Sequence, residues 1–131
     1  MSLARRDSIV ALQDHMLAHP EYAEPEVSIK HSFAAGIYAR EMTLKAGSFV
    51  VGALHKTQHL FNVSQGSCIV ATDNKVELIE APYSGRTEIG DKRVITAITD
   101  LIWTTYHVTE ETDIEVIEES ITAKDYRELL E

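Results

Sequence analysis

Two histidines, His55 and His59, stand four residues apart in the 131-residue chain and carry its clearest chemical signal. A neutral imidazole is a good ligand for a divalent metal such as zinc, iron, nickel or manganese. Two such ligands hold a metal weakly, so a third is needed, and His107 is the candidate. It shares one face of an apolar stretch, residues 101–108, with Trp103 and Thr105. Three histidines with open positions suit a site that works on a ligand better than a closed structural one. The same histidines could instead hydrogen-bond a ligand, or one another, with no metal. Tyr38 and Arg40 alternate on one face with Met42; Arg40 is then either a ligand contact or a solvated outer-face charge. Trp103 is either a pocket wall or core.

The elements that must position these residues are mostly strands. Before residue 27, Ile9, Leu12, Met16 and Leu17 recur at helical spacing behind Asp7 or Ser8 and ahead of Pro20, which predicts a helix over about 8–19. From Val27 the period becomes two. Strands are expected at 27–33, 37–44, 48–55, 60–63, 67–72, 76–80, 93–98, 101–108 and 114–117, with a loop at 82–85 and a hairpin-like turn at Thr99-Asp100. A second helix is expected over about 122–131, where Thr122 and Asp125 have the spacing of a capping box. Short strands at regular spacing, with no helices alternating between them, point to a sandwich or barrel and against a parallel α/β sheet. One domain, residues 1–131 with its core at about 27–118, suits this length.

Hydrophobic content of 44% and charged content of 25% are those of a globular chain, and the formal net charge is −9. That charge repels phosphate backbones, so no nucleic-acid partner is expected. No apolar stretch approaches the roughly 20 residues needed to span a membrane, and no apolar signal core follows the N-terminal arginines, so no membrane association and a cytoplasmic location are expected. Cys68, the one cysteine, lies in an apolar run and reads as a small buried hydrophobe.

The residues around His55 resemble the first motif of the cupins. Gly47 is followed by residues 48–52, then Ala53, Leu54 and His55, then 56–58, His59, residues 60–65 and Gly66. Both glycines and the second histidine of the motif are in place. Ala53 stands where the first histidine would be, and His59 where the glutamate would be. The second motif is degenerate: only Gly90 matches, and Arg93 stands at the position of its histidine. The chain is also similar to short cupin-like proteins of phages, which would place it in a host cytoplasm, with residues 36–42 as a further likeness. The resemblance implies an all-β, double-stranded β-helix, the cupin-type jelly-roll barrel, with short helices at each end. It implies that Arg93 points into the barrel, toward an anionic ligand or toward Glu41 or Glu88. It also implies that the strand of His107 lies beside the strand of His55.

Together these residues predict a small-molecule pocket, with His55, His59 and His107 as metal ligands and Arg93, Tyr38, Arg40 and Trp103 as ligand contacts. The alternatives are a metal-free protein that binds or sequesters a metabolite, and a structural or interaction protein whose pocket its own side chains fill. Open sheet edges favour pairing between copies, so a homodimer is expected, with the terminal segments as candidates for exchange.

Overall fold

The computed structural model describes residues 27–52, 54–72 and 75–123. The helix expected over 8–19 lies outside the described residues, as does the end of the chain from 124. Eleven strands and one helix are described in chain order: β1 (Val27–Ala34), β2 (Ile37–Leu44), β3 (Phe49–Val51), β4 (Leu54–His55), β5 (His59–Gln65), β6 (Ser67–Ala71), β7 (Val76–Glu80), β8 (Tyr83–Thr87), β9 (Val94–Ala97), β10 (Leu101–Val108), α1 (Ile114–Ile121) and β11 (Thr122–Ala123). They build a five-stranded sheet in the order β1-β2-β10-β5-β8 and a four-stranded sheet in the order β3-β9-β6-β7. A two-stranded clasp, β11-β4, completes the set. Every pairing is antiparallel. The expected all-β jelly roll is the fold that forms.

The period-two pattern is realised in the five-stranded sheet. On β5, His59, Phe61 and Val63 are buried, while Leu60 and Gln65 are exposed and Asn62 is partly so. On β10, Leu101, Trp103 and His107 are buried, and Thr105 continues their face. On β2, Tyr38, Met42 and Leu44 are buried, and Arg40 shares their side. Since side chains alternate across a strand, these inward sets meet the inward residues of the smaller sheet. The main core lies between the two sheets, with Leu44, Val63, Cys68, Val70, Ile79 and Leu101 among its members. Cys68 is fully buried, as its setting predicts.

Several expectations are corrected. The stretch 114–117 is helix, not strand. Asp113 caps it, its side chain accepting from the Glu115 and Val116 amides at 3.0 and 3.4 Å, and Ile117 and Ile121, one helical turn apart, bury against Tyr38. The β-branched residues favour a strand by propensity, and the cap and the burial override it. Thr122 does not begin a helix; it continues into β11. The stretch 48–55 is broken at Gly52 into β3 and β4, which pair with different partners. The expected loop at 82–85 is largely β8, paired with β5. Gly85 lies opposite Phe61, whose ring would sit 2.6 Å from any added Cβ, so this glycine marks a close approach rather than a turn. Thr99-Asp100 is not a hairpin, because β9 and β10 belong to different sheets; it is a corner at which the chain crosses over.

A second such corner, Gln65-Gly66, packs on it. Gly66 has φ +89°, and a Cβ there would lie 2.2 Å from the Asp100 carbonyl oxygen. Both the backbone angle and the space exclude a side chain. Gly66→Ala is expected to destabilise the fold by about 3 kcal/mol or more, read as a lowered urea midpoint. An unchanged midpoint would mean that the two corners do not pack in this way.

Candidate functional site

Between the main core and the helix-capped end lies a cavity of about 360 Å³. All seven residues singled out from the sequence line it: Tyr38, Arg40, His55, His59, Arg93, Trp103 and His107. They come from five places. Tyr38 and Arg40 stand on β2, His59 on β5 and Trp103 and His107 on β10, all in the larger sheet. His55 ends the clasp strand β4, and Arg93 precedes β9 of the smaller sheet. The strand of His107 does not lie beside that of His55, as the resemblance implied. β10 pairs with β2 and β5, so its neighbours carry Tyr38 and His59, while β4 pairs with β11.

The three imidazoles form a row with His59 in the middle. Ring centroids are 4.6 Å apart for His55–His59 and 4.4 Å for His59–His107. Burial pushes His55 down to about 3 and His107 down to about 4, and lowers His59 as well. Like charge deepens the effect: His59, Arg93, His107 and Arg40 act on His55, His59 and Arg40 on His107, and Arg93 on His59. All three are therefore neutral near pH 7, the form that can ligate a metal.

Each ring has a nitrogen to spare. His59 Nδ1 lies 3.4 Å from the Thr57 carbonyl, and His107 Nε2 lies 2.9 Å from Thr105 Oγ1. His55 Nδ1, His59 Nε2 and His107 Nδ1 are buried with no hydrogen-bond partner. A bond from one ring nitrogen to an oxygen, with the other left free, is the arrangement that orients metal-binding histidines. Donor type, protonation and unsatisfied nitrogens thus fit a divalent metal. Among the described residues no three His, Cys, Asp or Glu side chains are already gathered around one point, so the rings would have to turn toward a common centre.

Arg93 is held tightly. Its Nη1 donates to Thr87 Oγ1 at 2.6 Å, and Asp91 lies at 3.9 Å from Nη2. The guanidinium stands 5.0 Å from the Phe61 ring centre and 5.9 Å from that of Trp103, and those two rings stack at 4.4 Å. A planar, weakly hydrated cation suits such a shelf. The resemblance implied an anionic ligand, or else Glu41 or Glu88, as its partner. Glu88 instead accepts from Arg86 at 2.6 Å, and Asp91 and Thr87 serve Arg93. Tyr38, fully buried, bonds the His31 Nδ1 through its hydroxyl at 2.6 Å and stacks on His107; burial is the main cause that raises its pKa.

Sequence reasoning missed four polar wall residues, among them Thr122, which it read as a helix cap. Thr105 was visible as a face-mate of His107. Thr87 lay just past a stretch misread as a loop, and Glu118 was absorbed in a run of solvated acids. No helix among the described residues is long and apolar enough to cross a membrane.

This architecture, two antiparallel sheets closed around a lined pocket, is that of the cupin-type β-barrel. No protein-family model matches the chain, and no curated protein matches it. Solved structures do. An ectoine synthase from P. lautus superimposes with a TM-score of 0.60 at 13% identity over 76% of each chain. An RmlC-like cupin from Shewanella frigidimarina gives 0.58 at 16% identity, over 70% of this chain and 83% of that one. Salicylate 1,2-dioxygenase from Pseudoaminobacter salicylatoxidans, in adducts with gentisate, gives 0.60 at 12% identity, over 88% of this chain and 32% of that longer one. At such identities the likeness establishes the fold, which hosts many unrelated chemistries.

Proposed function

We propose that the protein binds a small molecule in its barrel, with a divalent metal held by His55, His59 and His107 and an anionic group of the ligand held by Arg93. The observation that carries this is the set of three neutral imidazoles that line one cavity, each with a buried ring nitrogen that has no hydrogen-bond partner. An unpaired buried nitrogen loses its hydration without recompense, by about 1–3 kcal/mol, and a metal would satisfy all three at once. A bound metal would supply Lewis acidity or activate a water or dioxygen. The chain's own residues would orient the ligand: Arg93 on its aromatic shelf fixes an acidic group, while Met42, Ile95 and Trp103 exclude water.

A metal-free binding pocket is the second reading. The row-like placement of the imidazoles, with no three donors yet gathered, favours it. Thermal melts separate the two. For the metal reading, excess zinc, nickel or manganese added to chelator-treated protein raises the melting temperature; a site at a hundredfold excess over Kd adds about 2.7 kcal/mol. His59→Ala removes the rise. Ligand binding indifferent to chelators supports the metal-free pocket.

The proposal also includes pairing of two copies and a cytoplasmic location. β1, eight residues long, pairs only with β2 among the described strands, leaving an edge of the kind that associates. The one cysteine is buried and free, in keeping with a reducing compartment.

A further inference from the structure

The outward face of the smaller sheet has the composition of an interior. An antiparallel sheet with one solvated face alternates apolar and polar residues along each strand. The larger sheet keeps to this in part, with Lys30, Glu41, Asn62 and Arg86 among its outward residues. The smaller one does not. Leu78, Ile69, Thr96 and Phe49 form one row across its four strands, and Val76, Ala71 and Val94 lie in the next. Residues directly opposite on neighbouring strands share a face, and Cys68, Val70, Ile79 and Ile95 fill the inner one, in the core. Leu78 is 59% exposed, Val76 57% and Ile69 41%. Neither row holds a charged residue, in a chain with 21 acidic and 12 basic ones. On the other side of the first row, Ser67 opposite Glu80 begins a polar rim.

Charge and area together say what covers this face. Each copy of the chain carries a net charge of −9, so two copies repel wherever charged surfaces meet, and an uncharged face is where they touch at least cost. A closed dimer uses the same patch on both copies, and a patch without charges is complementary to itself. Strands about 4.8 Å apart, with about 3.3 Å per residue, give four strands of five residues a plan on the order of 300 Å². Side chains standing off the sheet, and Ile98 exposed beside it, raise the accessible area toward about 600 Å² per copy, the low end for a specific interface. An apolar contact of that size supports a reversible dimer. The β1 edge is the weaker seat, because Lys30 stands in it, and lysine guards an edge strand against pairing.

We infer that two copies of the chain stack the outward faces of their smaller sheets, back to back, into a dimer. This names the face for the pairing of copies proposed above and rests on that reading, but not on the metal. The cavity lies on the inner side of the sheet, so the contact leaves its lining untouched.

The test is sedimentation velocity of the full chain across the micromolar range, at low and high salt. The expected result is a reversible dimer that tightens with salt, since screening relieves the repulsion between the two net charges and the contact holds no ion pair to weaken. Leu78→Glu sets a like charge in the face of each copy and should weaken association at least about tenfold, with an unchanged far-ultraviolet spectrum. Leu60→Glu, as exposed but on the outside of the larger sheet, should leave association as it was. Should Leu78→Glu fail to fold, Leu78→Ser and Val76→Ser, which remove apolar area without adding charge, carry the test. A dimer that survives the changes at Leu78 and Val76, that Leu60→Glu dissolves as readily, or that salt loosens would overturn the inference and leave the pairing of copies to another surface, the β1 edge foremost. A wild type that stays monomeric, as it would if a terminal segment of the same chain covered the face, overturns that reading and this inference together. Metal uptake is independent of both.

Discussion

Tag-free protein from metal-replete cells is expected to carry near-stoichiometric divalent metal, and the His55→Ala/His59→Ala variant none, by elemental mass spectrometry. The double change leaves a single imidazole of the three, and one nitrogen ligand does not compete with water for these ions. The variant should fold, because it removes two buried nitrogens that had no partner. The depressed basicity adds a second expectation to the same experiment. A free histidine with a pKa of 6.5 is mostly protonated at pH 5.5 and gives up its metal, whereas burial and the neighbouring cations leave His55 at about 3 and His107 at about 4 in the empty pocket. Metal should therefore stay bound at pH 5.5. Protein that is empty as purified and after reconstitution would sink the metal reading and leave a pocket that binds through Arg93 and hydrogen bonds.

Chelated protein is expected to lose stability steadily as the pH falls from 6.5 toward 4. The unfolded chain protonates its histidines near 6.5; the folded chain holds His55 and His107 neutral until about 3 and 4. Within that window the unfolded state binds more protons, so acid favours it. One pKa unit corresponds to about 1.4 kcal/mol, and with allowance for the water that an open cavity admits and for coupling between the rings, the loss by pH 4 is on the order of 3 kcal/mol. That is a large share of the 5–15 kcal/mol typical of a domain. Urea titrations at pH 7, 5.5 and 4.5 measure it. His55→Phe, which fills the space without a titratable group, should flatten the dependence. A pH-independent midpoint in the wild type would contradict the burial that empties these nitrogens of protons.

The parts of this molecule that alternate in period two were legible from the chain. β2, β7 and β10 form within a residue or so of where their patterns place them, and β2 and β10 carry Tyr38, Arg40, Trp103 and His107 to the cavity. The seven residues chosen for chemistry converge because each lies on the inward phase of its strand or on a motif position. The chain hid partnership. Pattern tells which way a side chain points and not which strand lies beside it; the resemblance set the strand of His107 beside that of His55, and the two share the cavity although His107's nearest imidazole is His59. Of the acidic partners open to Arg93 from the sequence, Glu41 and Glu88 were named, and Asp91, two residues away, is the one within ion-pair distance. The strand β8 was hidden because Gly85 reads as punctuation, although its role is to make room for a ring on the next strand. Helix α1 was hidden because isoleucine and valine speak for strands until a capping aspartate and a buried turn outweigh them.

The clasp gives the end of the described chain a particular leverage. β4 joins neither main sheet: His55 is fixed by its pairing with Thr122, by bonds to the Gly90 and Asp91 backbone, and through the next residue by the Lys56 amide on the Ile121 carbonyl. One member of the histidine row is thus held by β11 and the end of α1, while His59 and His107 are anchored in the five-stranded sheet. Loosening the Thr122 pairing would therefore free His55 while leaving His59 and His107 held in the five-stranded sheet, so the row's position 55 is the one most open to adjustment.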